Sequence, residues 1–253
     1  MLDLLDHPFQ VLLISLLTCW LAAGLGASIG QRFRKEDTRS HEDFVFILGA
    51  TLTLLGLIIG FSFSMAVNRY EQRKNYEEEE ANAIGTEYVR AELLPAADAA
   101  KVRELLASYL DQRILYYKTQ SEQQRQTIDA QTARLQTELW SAVATPALAQ
   151  PTPVMALTLS GMNDVLNSQG YTQAAWWNRI PFGAWILLIS ISIFCNLLVG
   201  YAAHGKGLLL LLILPIALSV SLFLIADIDS PRRGIISVRP QNLERLTPSL
   251  HSP

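Results

Sequence analysis

The stretch FVFILGATLTLLGLIIGFSFSMAVNRYEQR, residues 44–73, decides the fold of this chain. Its first part, from Phe44 to Val67, contains no charged side chain. A helix rises 1.5 Å per residue, so about 20 such residues cross the hydrocarbon core of a bilayer. A soluble helix of this length would present a polar face instead. We therefore predict a transmembrane helix that continues without a break into the charged residues after Val67.

Three further blocks have the same apolar character and a similar length: Phe9–Gly30, Ile180–Ala203 and Gly207–Ala226. Hydrophobic residues make up 50% of the 253 residues and charged residues 17%, which is too apolar for an ordinary soluble domain. The first block could be a signal peptide, but it is longer than a signal core and follows Asp3 and Asp6 without any Lys or Arg. We predict an integral membrane protein with four spans, embedded in the lipid bilayer.

A polar insert separates the second span from the third. It is rich in Ala, Gln, Glu, Leu and Arg, which are strong helix formers, and it shows no strand-like alternation. The sequence therefore predicts an all-α fold of four transmembrane helices with an inserted helical domain. The predicted divisions are 1–68 (transmembrane helices 1 and 2), 69–179 (the soluble insert), 180–226 (a hairpin of transmembrane helices 3 and 4) and 227–253 (a C-terminal tail).

Prolines and tryptophans suggest where the elements of the insert begin and end. Pro95 is expected to separate two helices. The segment Thr145–Pro153 contains three prolines and is predicted to be a loop, followed by a short helix from Val154 to Asn167. Three tryptophans near the third span are expected to anchor it at the membrane surface: Trp176, Trp177 and Trp185.

Charges near the spans indicate a topology. Membrane-proximal Lys and Arg are slightly more numerous beside the insert and the tail than in the connections 31–43 and 204–206. By the positive-inside rule, we expect the insert and both termini to be cytoplasmic. The connection at 204–206 is predicted to be a tight helical hairpin.

Several functional classes find no support in the sequence. The net charge is −3 and the pI is about 5.8, so no basic field indicates a nucleic-acid partner. The two cysteines lie inside apolar blocks, and none of the four histidines has a partner at ligand spacing. We predict no metal site and no cofactor. No nucleophile elbow, phosphate loop or metalloprotease motif is present, so we do not predict an enzyme.

The spans contain no ionisable residue at depth. Proton-coupled transporters and voltage sensors need such residues within the membrane, so both classes are disfavoured. A single chain would also have no polar route through its middle. Any conducting pore must therefore form between several copies of the chain.

The second span is the candidate for lining such a pore. Thr53, Leu57 and Phe61 recur every four residues and could form a narrow apolar ring, which gates by excluding water. Small residues on the same helix permit either simple helix packing or a pore face, and the sequence leaves both open: Gly49, Gly56, Gly60 and Ser64. In the first span the small residues Ala22, Gly26 and Gly30 are interpreted as packing residues only.

Two stretches at the exits of spans two and four resemble the bestrophin family of ion channels, most closely its bacterial and plant members. After Gly60-Phe61 the first stretch carries an arginine eight residues beyond the phenylalanine, then an aromatic residue, an acid and basic residues: Arg69, Tyr70, Glu71, Arg73 and Lys74. After the last span the second stretch carries alternating acids, a proline and a glycine: Asp227, Asp229, Pro231 and Gly234.

This resemblance implies a homo-oligomer, a pentamer, with a central pore lined by the second span and a neck at Thr53, Leu57 and Phe61. It also implies inorganic ions as the permeant species and, for a bacterial member, the inner membrane as the location. Calcium gating is not carried over, because only Asp227 and Asp229 remain where the animal members have an acidic cluster.

The acidic run Glu77, Glu78, Glu79 and Glu80 follows the second span. It is either a solvated helix face or, in a ring of subunits, a vestibule of carboxylates that concentrates cations. The second interpretation gives a slight preference for cations. An alternative function is a membrane-anchored interaction or sensor protein whose insert binds a partner. The polar stretch Lys118–Thr127 favours that alternative.

Overall fold

The computed structural model describes residues 6–33, 38–203 and 210–251. The described residues form helices joined by connections of up to eleven residues, with no strand among them, which confirms the predicted all-α class. The predicted hairpin turn at 204–206 lies outside the described residues. The helices are α1 (Pro8–Phe33), α2 (Thr38–Arg90), a short 3-10 helix (Ala91–Leu93), α3 (Ala96–Lys118), α4 (Glu122–Ala149), α5 (Pro153–Trp177), α6 (Phe182–Ala202), α7 (Leu210–Asp229) and α8 (Gln241–His251).

Four helical stretches within the described residues are long and apolar enough to cross a membrane, as predicted. They are Pro8–Arg32, Glu42–Leu93, Pro153–Ala202 and Leu211–Asp229. Helix α2 has 53 residues and is therefore about 80 Å long, far more than the ~30 Å of the hydrocarbon core. Its apolar first part can span the bilayer, and its charged second part extends beyond it.

The chain forms two compact units. The first unit comprises Met1–Tyr70 and Arg179–Ser237 and contains the apolar blocks. Its core includes Trp185, Leu188 and Leu222, all almost fully buried. Helices α1 and α6 approach so closely that a Cβ atom on Gly26 would overlap the backbone of Leu197. The expectation that the small residues of the first span serve packing is thus confirmed at Gly26.

The second unit comprises Glu71–Asn178 and Val238–Pro253. Its core is built by α3, α4, α5 and the end of α2, and the C-terminal helix α8 is part of it. Leu243 of α8 is fully buried, and a Cβ on Gly85 of α2 would contact the side chain of Leu246. Other buried apolar residues of this unit are Ile84, Val102, Leu106, Tyr109, Leu110, Leu139, Val143, Met162 and Val165.

The loop predicted at Thr145–Pro153 is much shorter, since only residues 150–152 are not helical. Helix α4 continues through Pro146 to Ala149, because Pro146 lies in the last turn and is buried among core residues, where packing outweighs one lost backbone hydrogen bond. The helix predicted to end at Asn167 likewise extends to Trp177.

The expected anchoring role of Trp176 is also wrong. Its indole is buried in the second unit, where its ring packs against those of Tyr116 and Tyr117 at centroid distances of 5.5 and 5.3 Å. Aromatic pairs in such tilted geometries stabilise a core beyond their buried area. Trp176 is therefore a core residue, and so is Trp185 in the first unit, whereas Trp177 is largely exposed.

Candidate functional site

Helix α2 presents two different faces within the first unit. Leu55, Ser62 and Ala66 are buried, and they lie on one side of the helix because successive residues are turned by 100°. Leu55 packs with Ile191 of α6 and Leu218 of α7. The buried side therefore attaches α2 to the rest of the unit.

The opposite side of α2 is exposed. Leu57 and Phe61 are 53% and 64% exposed, and Thr53 is also exposed, with its hydroxyl donating to the carbonyl of Gly49 at 2.9 Å. A Cβ added at Gly49, Gly56 or Gly60 would meet no atom within 4 Å, and Ser64 is exposed as well. The small residues of α2 are therefore not used for packing against the described part of their own chain.

Helix α2 is less covered by the described part of its own chain than the other three spans are. In the most apolar window of Glu42–Leu93 only 6% of residues are buried, against 50% in Leu211–Asp229. A span so poorly covered by its own chain must contact lipid, further subunits or water. The exposed face of α2 carries glycine and hydroxyl residues. Small residues of this kind are typical of helix–helix interfaces where the backbones approach closely.

The residues that follow the span on α2 differ in exposure. Tyr70 is half-buried and packs against the core that contains Trp185, and Arg69 is also half-buried. In the second unit Glu71 is exposed and Arg73 is buried. The basic and aromatic residues of the first motif are therefore largely turned inward.

The second motif fixes the chain as it leaves α7. The buried carboxylate of Asp227 accepts hydrogen bonds from the backbone N–H groups of Ile235 and Ile236 at 2.7 and 2.8 Å. Gly234 is required because a Cβ there would overlap the backbone of Asp227. Pro231, half-buried, lies in the turn that brings these residues back. This motif is a folded cap on the exit of the last span.

Asp229 joins this cap to the start of α6. Its buried carboxylate accepts from the N–H of Ile180 at 3.1 Å and forms an ion pair with Arg179 at 3.5 Å. Arg179 also binds Asp6. Both acids of the motif are thus engaged by groups of their own chain. Among the described residues, no three His, Cys, Asp or Glu side chains come together as a set of metal ligands.

The predicted vestibule of four carboxylates is wrong for Glu77. Its side chain is buried and accepts from the N–H groups of Asn242 and Leu243 at 2.8 and 3.0 Å, and from Asn242 Nδ2 at 2.7 Å. Burial raises its pKa, and these three hydrogen bonds oppose that rise. Glu77 therefore holds the beginning of α8 against α2.

The vestibule prediction is wrong for Glu80 as well. Glu80 is fully buried and forms an ion pair with Arg113 of α3, which is also fully buried. The hydroxyls of Thr172 and Tyr117 donate to its Oε2 at 3.1 and 3.3 Å. Burial opposes the charge of Arg113, but the carboxylate of Glu80 more than offsets this, so the pKa of Arg113 is raised. The pair ties α2 to α3 and α5.

The two remaining carboxylates of the run, Glu78 and Glu79, are exposed. A sequence signal does separate them from their neighbours. Arg73, Glu77 and Glu80 continue through Ile84 at alternating steps of four and three residues, which keeps them on one helix face. The apolar Ile84 marks that face as the buried one, and Glu78 and Glu79 fall outside it.

Glu87 extends the same buried face. It is fully buried, and neither of its carboxyl oxygens has a hydrogen-bond partner among the described residues. A Cβ on Gly161 of α5 would overlap Glu87 Oε2 and Arg90 Nη1. Burial raises the pKa of Glu87 to about 8, with Arg90 opposing the rise and Asp164 adding to it.

Replacing Glu87 with glutamine should therefore change how stability depends on pH. The unfolded chain releases this proton near pH 4.5 and the folded chain near pH 8, so between these values unfolding releases a proton and stability falls as pH rises. The slope should reach about 1.4 kcal/mol per pH unit. Melting temperatures from pH 5 to 8 should therefore decline less steeply for Glu87→Gln than for the unchanged protein. Parallel declines would contradict the assignment.

Comparisons with known proteins agree with this architecture. A family model described as the Bestrophin-like domain matches residues 16–243. A crystal structure of a bacterial bestrophin homologue from Klebsiella pneumoniae, carrying a point mutation, is 15% identical, with a TM-score of 0.68 and coverage of 95% of this chain and 96% of that chain. A second mutant of that homologue is 13% identical, with a TM-score of 0.67 and coverage of 94% and 97%.

A third crystal structure, described as a membrane protein variant, is 13% identical with a TM-score of 0.69 and coverage of 94% of this chain and 96% of that chain. At such low identity these structures show a shared fold. No curated protein matches the chain.

Proposed function

Because the chain belongs to the bestrophin-like family, we propose that it is an oligomeric ion channel, a pentamer whose central pore is lined by α2. The observation that carries this proposal is the exposed face of α2 in the first unit. That face is uncharged and rich in glycine and hydroxyl residues, and the described part of its own chain leaves it uncovered.

The neck of the proposed pore is formed by Thr53, Leu57 and Phe61. Their exposure on a single chain supports this role, since a neck residue must contact the pore rather than its own core. A ring of five phenylalanines would exclude water until the helices move apart. Gly49, Gly56, Gly60 and Ser64 would let neighbouring copies of α2 approach this axis.

We further propose a preference for cations. Because Glu77 and Glu80 are buried, this preference depends on Glu78 and Glu79, which are exposed on the charged part of α2. Carboxylates repeated around an axis raise the local cation concentration. Reversal potentials in asymmetric KCl would measure the ion preference.

The insert of residues 69–179 and both termini are proposed to be cytoplasmic, in the inner membrane of a bacterium.

Replacing Phe61 with alanine should raise the single-channel current in planar bilayers. The change removes the largest side chain of the proposed neck, which widens the apolar constriction and favours its hydration. Phe194→Ala is the matched control, because Phe194 lies on α6 rather than α2 and is 63% exposed, against 64% for Phe61. An unchanged current in Phe61→Ala would remove Phe61 from the neck.

The oligomeric state tests the proposal before any recording. Native mass spectrometry of the purified chain in detergent should give five copies. A monomer without conductance would instead favour a membrane-anchored interaction or sensor protein, for which the long second unit would be the binding part.

A further inference from the structure

Helix α5 makes a close approach to α2 at Gly161, within the second unit. A Cβ on this residue would overlap Glu87 Oε2 and Arg90 Nη1, both carried by α2. Glu87 and Arg90 are three residues apart on the helix, a spacing at which an acid and a base commonly pair. Here neither carboxyl oxygen of Glu87 accepts a hydrogen bond from any described group. The two side chains thus converge on Gly161 without bonding to each other.

The carboxyl group of Glu87 is the unusual member of this contact. It is fully buried, and an ionised carboxylate buried without a hydrogen-bonding partner costs far more than the neutral acid. Burial is the main cause that raises the pKa of Glu87 to about 8, so the docked arrangement holds the protonated acid at neutral pH. A neutral acid has no strong attraction for Arg90, which accounts for the missing ion pair.

The charges around Glu87 differ in sign between the two helices. On α5 the carboxylate of Asp164 opposes ionisation of Glu87, whereas Arg90 on α2 favours it. On α3, Arg103 is paired instead with Glu92 of the 3-10 helix at 2.6 Å. An ionised Glu87 would therefore be repelled by the helix packed against it and attracted by a base on its own helix. Movement of α5 away from α2 relieves the repulsion and permits the ion pair.

The first half of α5 carries both exposed apolar residues and a buried polar group without a partner. Thr158, one turn before Gly161, is fully buried, and its hydroxyl has no hydrogen-bond partner within the described part of the chain. Val154 and Leu157 are 46% and 53% exposed, and the helix begins at Pro153, directly after the connection 150–152. Segments with fewer buried contacts open locally at a lower free energy than the core does. The first half of α5 is therefore the part of this contact that can move.

We propose that Glu87 and Gly161 form a pH-dependent contact that controls the docking of α5 on α2. With Glu87 protonated, Gly161 remains packed against Glu87 and Arg90. When the proton leaves to solvent, Glu87 pairs with Arg90, and the first half of α5, residues 153–164, moves away from α2. The contact acts on the helix proposed to line the pore, but it does not depend on whether the protein conducts ions.

Hydrogen exchange of the full-length protein in detergent, followed by mass spectrometry, tests this contact. The docked state holds the proton up to about pH 8, whereas the displaced state, in which the acid is no longer buried, releases it near pH 4.5. Displacement therefore becomes more favourable as pH rises between these values. After correction for intrinsic exchange rates, protection of the amides of residues 153–164 should fall by up to about tenfold per pH unit from pH 5 to 8, and level off above pH 8. These amides should also be less protected than those of residues 106–117 in α3, because the opening is local.

Glu87→Gln keeps the shape of the side chain and removes the titrating proton, so protection of residues 153–164 should no longer change with pH. Glu104→Gln is the matched control, because Glu104 is exposed on α3, and the decline with pH should persist in that variant. Equal protection at pH 5 and 8 in the unchanged protein, a decline that survives Glu87→Gln, or protection as high as that of α3 would each overturn the proposal. The first and third outcomes need no variant, so the test holds even if Glu87→Gln does not fold.

Discussion

Replacing Arg113 with methionine should lower the free energy of unfolding by about 3–5 kcal/mol, the usual cost of breaking a buried ion pair. Arg113 and Glu80 are both fully buried. The variant would remove the guanidinium that pairs with Glu80 inside the core, while the hydroxyls of Thr172 and Tyr117 would still donate to the Glu80 carboxylate. The measurement is chemical unfolding of the full-length chain in detergent, followed by intrinsic fluorescence.

Two companion variants test whether the loss of stability arises from the burial of the ion pair. Arg103→Met breaks the ion pair with Glu92, whose side chain is 67% exposed, and should cost less than about 1 kcal/mol. The double variant Glu80→Met and Arg113→Met removes both charges, and it should recover most of the stability lost in the single variant. A single Arg113→Met variant as stable as Arg103→Met would show that the pair is not essential to the packing of α2 against α3.

The membrane part of the fold could be predicted because lipid imposes a simple rule. A helix in hydrocarbon satisfies its backbone internally and carries few charges, so each span appears in the sequence as a long uncharged block. The second motif was recognised by its resemblance to the bestrophin family, and the structure supplies its physical role. Asp227 and Gly234 serve the same cap, one by accepting backbone hydrogen bonds and the other by permitting close approach.

The second unit was harder to predict because its core contains charges. Four consecutive glutamates have identical side chains, yet Glu77 and Glu80 are buried whereas Glu78 and Glu79 are exposed. What distinguishes them is the presence of Arg113 and of the α8 N–H groups, which lie far away in sequence. The spacing to Ile84 indicates the buried face of α2, but it does not identify these partners.

For the exposed face of α2, the sequence predicts which residues lie together but not what they contact. The helix period places Thr53, Leu57 and Phe61 near one another, but it does not tell whether a small-residue face packs within one chain or between chains. Among the described residues no atom lies within 4 Å of a Cβ built at Gly49 or Gly56, which favours contacts between chains. Identification of the neck therefore stays a prediction until the oligomer and its current are measured.

Replacing Gly26 with alanine should destabilise the first unit by about 3 kcal/mol, the upper end of the usual cost of overpacking. The added methyl group would overlap backbone atoms of Leu197 and Tyr201 in α6. Backbone atoms cannot change rotamer, so α1 and α6 would have to separate. The melting temperature of the purified full-length protein would report the loss.

Gly24→Ala is the control on the same helix. A Cβ at Gly24 meets no atom within 4 Å, so this substitution should leave the melting temperature unchanged or raise it slightly, because alanine favours a helix over glycine by about 1 kcal/mol. A lower melting temperature for Gly26→Ala, with an unchanged or higher one for Gly24→Ala, would distinguish the effect of close packing from that of helix propensity. In a bilayer, helices gain little hydrophobic energy by meeting, and close backbone contact supplies much of their attraction. Equal melting temperatures for the two variants would mean that α1 and α6 are held together by other contacts, such as those around the reciprocal Gly200 and Ala23.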